Sequence, residues 1–101
     1  MIKVLEVNGR QFPLKFNMGV LRRMGKNGIN TVKLFEALQI QDLDVIYMLF
    51  KEMLIDKKQY DEEFLDELSF EDFTKVTTII TELIKESMPK EDNTSKKTKK
   101  K

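Results

Sequence analysis

At 101 residues, 41% apolar and 35% charged, the chain can build one modest core and not two, so it is read as a single domain. It contains no Cys and no His, which excludes disulfides, thiolate nucleophiles, zinc sites of the usual kind and the side chain most used for proton transfer near neutral pH. Its formal charge of +1 is divided unevenly: Met88 to Lys101 carries six Lys against Glu91 and Asp92, a net of +4, which leaves residues 1–87 at −3.

Met1 to Val7 and Arg10 to Phe16 are two short runs rich in Ile, Val, Leu and Phe, joined by Asn8-Gly9. Asn-Gly readily takes positive φ at both central positions, as a two-residue type I′ hairpin loop requires, so a β-hairpin over 1–16 is predicted. Ile2, Val4 and Glu6 fall on one face and Lys3, Leu5 and Val7 on the other, while Phe12, Leu14 and Phe16 alternate with Pro13 and Lys15. Pro13 cannot donate to a ladder, which places its strand at an edge or turns position 13 outward. A lone hairpin is marginally stable, so it must lie on helices.

Helices fill 18–87. Asn17 can cap a first one from Met18 to Lys26, with Val20, Leu21 and Met24 inward and a stop at Gly25, Asn27 and Gly28. Asn30 or Thr31 can cap a second through Gln39, its inward face drawn through Val32, Phe35 and Leu38, with Leu34 beside them. Gln41 to Ile55 reads as the central helix: Leu43, Val45, Ile46, Tyr47, Leu49, Phe50, Met53 and Leu54 cover about half its circumference, which implies neighbours on two sides. Asp56 to Gln59 is unpatterned and reads as a loop.

Tyr60 to Leu68 puts Tyr60, Phe64, Leu65 and Leu68 on one side of a further helical segment. Ser69 caps the last helix, with Glu71 and Asp72 where the helix dipole favours negative charge and Phe70, Phe73, Val76, Ile80, Leu83 and Ile84 inward. Its outward Thr74, Thr78 and Thr81 are poor helix formers, so packing must hold it, and Pro89 ends it. Residues 88–101 have no large apolar side chain beyond Met88 and are expected to be a disordered Lys-rich tail. The expected fold is therefore α+β, predominantly α: an N-terminal β-hairpin packed on a compact bundle of four to five short helices.

The residues offer little chemistry. Asp61, Glu62, Glu63, Asp66 and Glu67 point around their helix instead of converging, and no calcium-loop spacing surrounds them, so they read as a solvated face and no metal is expected. Gly19, Gly25 and Gly28 sit in no phosphate-loop pattern, so no cofactor is expected. The terminal Lys cluster could release counterions from nucleic acid, yet it lacks interleaved aromatics or Arg and the body is acidic, so nucleic acid is a secondary reading. No apolar run approaches a bilayer span and MIKVLEV lacks a basic region followed by an apolar core, so an unexported protein without a membrane partner is expected. Flexible thioethers suit adaptable apolar surfaces, and Met48 falls in the polar arc of the central helix, between Asp44 and Glu52. Met24, Leu34, Tyr47 and Met48 are the candidate partner-binding residues.

The opening IKVLEVNGRQFPLKFNMGVLRRM, a Leu- and Phe-bearing helix, a hydrophobic helix beginning QDLDVIYML and an acidic FLDEL before a final helix together resemble the tail assembly chaperones of long-tailed, siphovirus-type bacteriophages. The residues that carry the likeness are Asn8-Gly9, Phe12, Leu14, Lys15, Phe16, Leu21, Arg22, Asp42, Leu43, Phe64, Leu65 and Leu68, and it covers nearly all of Met1 to Ser87. The resemblance implies a non-enzymatic protein of the host cell cytoplasm. It would coat the long, largely helical tape measure protein until tail tube subunits polymerise around it, and would be absent from the finished virion. The tape measure protein is then the expected partner, with the tail tube protein and further copies of the chain as additional candidates. The family offers no catalytic residues to carry over. Some of these chaperones are also made as longer forms by ribosomal frameshifting, and KKTKKK implies A-rich codons prone to slippage, with a merely solubilising tail as the competing reading.

Overall fold

A computed structural model describes residues 2–87, and the expected Lys-rich tail lies outside the described residues. Two antiparallel strands, β1 (Ile2–Val7) and β2 (Arg10–Lys15), are followed by five helices: α1 (Met18–Lys26), α2 (Thr31–Ile40), α3 (Leu43–Met53), α4 (Glu62–Asp66) and α5 (Phe70–Ser87). Between α3 and α4 a single 3₁₀ turn, Lys57–Gln59, stands where sequence suggested an unpatterned loop, capped by the Asp56 carboxylate.

The hairpin closes as its dipeptide demands. Asn8 and Gly9 have φ of 50° and 78°, and Val7 pairs with Arg10 across the loop. Leu5, Val7, Phe12 and Leu14 are buried on one face, while Ile2 and Val4 stay exposed on the other. Helix ends follow local chemistry too. The side chains of Asn17, Asn30, Asp42, Asp61 and Ser69 each accept an amide of the following first turn. At the end of α1, Gly28 at φ +86° lets the Ile29 amide reach the Met24 carbonyl and its own amide reach that of Gly25, a Schellman closure.

α3 is central, as its wide apolar arc required. It packs against α1, α2 and β2, burying Ile46, Leu49, Phe50 and Met53. Arg23 and Glu52 clamp α1 to α3, and Lys57 Nζ donates to the carbonyls of Glu52 and Leu54 at 2.6 and 2.7 Å, closing the C-terminal end of α3. On the same face of the hairpin, α5 lies along β1 in the opposite direction. Lys3 pairs with Glu82 and Glu86 near the helix end, whereas Leu5 and Glu6 adjoin Thr74, Lys75 and Thr78 near its start. The buried face of the hairpin therefore rests on both α3 and α5, with Phe12 edge-on to Phe50 and against Phe64. Arg10 lies over the Phe12 and Phe64 rings and pairs with Asp61 at 3.3 Å, which ties α4 to the turn end of the hairpin.

Two inward assignments are corrected. In α2 the buried set is Leu34 and Ala37 with Leu38 half-buried, while Val32 is 72% and Phe35 37% exposed, because the helix turns its i, i+3, i+4 row to α3 and not the strict spacing-three row. Phe70 is 80% exposed, because as the first residue of α5 it stands one turn beyond the core. Met18 and Leu43 open their helices in the same way and are also exposed.

Candidate functional site

The four residues expected to meet a partner do not come together. Met24 and Leu34 are fully buried core residues, which corrects their assignment to a binding surface; both fill the space where α1 and α2 meet α3. Tyr47 and Met48 are half-buried and packed against the same core. Tyr47 leans on Phe73, with ring centroids 6.2 Å apart, and its hydroxyl donates to the Asp66 carboxylate at 2.8 Å. Burial and then Asp66 push the Tyr47 phenol up to about 12, and burial likewise raises that of Tyr60. Lys57 is lowered by burial and by neighbouring Arg23. Both half-buried α3 residues thus support the core from its rim.

The apolar surface that is open lies along α5. Thr74, Thr78, Thr81 and Lys85 recur at spacings of four, three and four and so form one stripe of the helix. Thr74 and Thr77 donate their hydroxyls to carbonyls of their own helix, at 3.0 Å each, which spends the polar group on the backbone and leaves methyl surface beside the stripe. One wall of the trough is α2: Phe35, Leu38 and Gln39 face Thr81, Ile84 and Lys85 across a recess of about 400 Å³. Leu38, Thr81 and Lys85 continue into a second recess that reaches Gln41, Thr77 and Thr78. Thr78 then joins a third, between β1 and the start of α5, lined by Leu5, Glu6 and Ile79. From Thr74 to Lys85 the floor runs roughly 16 Å, three turns of a helix.

No family model, curated protein or solved structure matches the chain.

What the trough can hold is therefore read from its lining. Methyl, aromatic and aliphatic groups make up most of its lining, with Glu6 and Lys75 at one end, Lys85 at the other and Glu82 on the flank of its middle recess. Such a surface can bury an apolar face. Among the described residues no cluster of three or more Asp or Glu could hold a metal ion, and no helix is long and apolar enough to cross a membrane. Sequence reasoning missed Val32 and Phe35 as surface residues. Ala37 was the available signal, since Leu34, Ala37 and Leu38 follow the core spacing better than Val32, Phe35 and Leu38 do.

Proposed function

We propose that this chain is a tail assembly chaperone of a long-tailed bacteriophage, which holds the tape measure protein in solution until tail tube subunits polymerise around it. The observation that carries the reading is the open trough along α5, walled by α2 at one end and by β1 at the other, largely apolar and about three helical turns long. An amphipathic helix presents its apolar positions at the same i, i+3, i+4 and i+7 spacing along such a groove. A contact this short is weak alone, and a long helical partner offers many of them, so coating by multiple copies supplies avidity that one groove lacks. The resemblance in the hairpin, the central helix and FLDEL points to the same role.

Co-expression with the tape measure protein tests this. The long protein is expected in the soluble fraction only when this chain is present, and Phe35→Asp or Thr81→Lys is expected to send it to the pellet while leaving the chaperone folded. A tape measure protein equally soluble without the chain overturns the proposal. The alternative, nucleic-acid binding through the Lys-rich tail, predicts duplex binding that falls steeply with salt and disappears on deleting residues 93–101.

A further inference from the structure

The register of the hairpin fixes which backbone groups of β1 face away from it. Val4 is opposite Pro13, and the Pro13 carbonyl accepts from the Ile55 amide at 3.1 Å on the far side of β2. Position 13 thus points its polar groups away from β1, so Val4 across from it points its own away from β2, as in any pair without mutual hydrogen bonds in an antiparallel ladder. By alternation the N–H and C=O groups of Ile2, Val4 and Glu6 all lie on the outer edge. Among the described residues β1 pairs with β2 alone. An open edge of six residues with Ile2 and Val4 exposed is a template for another strand.

The helix beside this edge indicates which strand. Lys75, Ile79, Glu82 and Glu86 recur along α5 at spacings of four, three and four, forming a stripe on the β1 side of the helix. One end is positive and the other negative, with an apolar residue between. Because Lys3 lies by Glu82 and Glu86 while Leu5 and Glu6 lie by Lys75 and Ile79, the middle of the stripe is level with Val4.

We infer that the chain forms a symmetric dimer in which β1 pairs antiparallel with β1 of a second copy about a two-fold axis at Val4, joining the hairpins into one four-stranded sheet. A rotation about that point sets Val4 against the partner's Val4 and Ile2 against the partner's Glu6, so every outward group of the edge meets its counterpart. The same rotation carries the partner's Lys75 toward Glu82 and Glu86, and Lys75 toward the partner's Glu82 and Glu86. A β1 strand is thus complementary to itself in backbone, and the adjoining stripe is complementary to itself in charge. The Lys75–Asp72 pair at 3.5 Å lies within one helix with Lys75 well exposed, and is too weak to hold Lys75 from the partner. This dimer leaves the α2 wall of the trough open, and it adjoins the trough along α5, where Lys75, Ile79 and Glu82 line both.

Sedimentation velocity from low to high micromolar concentration reads the result. The 11.9 kDa chain is expected to double in mass with concentration, and the Val4 amide to become protected from hydrogen exchange as it does. Val4→Pro removes an amide that the hairpin does not use, so it is expected to stay folded by circular dichroism and to remain monomeric. If Val4→Pro fails to fold, a charge exchange decides: Lys75→Glu and the double variant Glu82→Lys, Glu86→Lys are each expected to dissociate at least about tenfold more readily, and to form a dimer again when mixed. A wild-type chain that stays monomeric throughout overturns the inference. So does a dimer that survives both Val4→Pro and the charge variants, or one lost only on Phe35→Asp, which would place the interface on α2.

Discussion

The amide of Ile55 donates to the carbonyl of Pro13 at 3.1 Å, and Leu54 and Leu14 form a bridge beside it. A proline within a short strand is thereby put to use: its missing N–H costs nothing on this side, and its carbonyl fastens the chain leaving α3 to the outer edge of β2. Gln59 adds a second fastening by donating to the Gln11 carbonyl at 3.1 Å. Ile55→Pro removes the donor to Pro13, and the expected loss of stability is about 1 kcal/mol, the net worth of one such bond. Urea unfolding checks this, and a midpoint unchanged from wild type would show that the tether is not holding.

The hairpin loop gives a second expectation. Gly9 sits at φ +78° with nothing within 4 Å of where a Cβ would stand, so a side chain there meets no clash and only the backbone conformation opposes it. Gly9→Ala is expected to destabilise by about 1 kcal/mol, whereas Gly9→Asn, a residue that tolerates this region, is expected to cost less. Thermal melts of the two variants, compared with each other, separate backbone strain from any loss of packing.

Neighbouring positions of α2 are expected to behave oppositely. Leu34 is fully buried and Val32 is not, although spacing alone placed both toward the core. Leu34→Ala is expected to lose about 3 kcal/mol and Val32→Ser less than about 0.5 kcal/mol. Chemical denaturation of the pair measures which row of the helix faces α3; equal losses would mean that α2 is turned as the spacing-three pattern suggested.

Much of this fold was legible in the chain because its signals are local. Asn8-Gly9 fixed the hairpin, Asn17 and Ser69 capped the helices expected of them, and the broad apolar arc of α3 required the neighbours it has. What could not be read depends on rotation and level between elements. Val32 and Phe35 are as apolar as Leu34 and Ala37, and only the position of α3 decides which pair is covered. Phe70 looks like core until the end of the core beneath α5 is known. The trough was invisible for the same reason: it is built from Thr side chains, two of which, Thr74 and Thr77, spend their hydroxyls on their own helix, and from the far side of α2. Met24 and Leu34 were chosen as binding residues on chemical type, and burial of that type in the core is the commoner outcome in a domain this small.

The Tyr47 hydroxyl gives the last expectation, in alkali. Burial and the carboxylate of Asp66 raise it from 10.0 to about 12, so the folded protein keeps a proton there that the unfolded chain releases at lower pH. Between these values the folded state binds more protons than the unfolded one, and stability must fall as pH rises. The contribution of this group is complete below pH 10 and is progressively lost up to about pH 12. Burial also shifts Lys57 down and Tyr60 up, so the measurement is a difference between variants. Tyr47→Phe removes the phenol and is expected to show a shallower decline in urea midpoint across the window, at the cost of the hydrogen bond to Asp66 at neutral pH. Asp66→Asn keeps the phenol but takes away the charge that opposes its ionisation, and is expected to move the decline to lower pH than wild type shows. Identical alkaline profiles for wild type and both variants would mean that the Tyr47–Asp66 contact is not formed in solution.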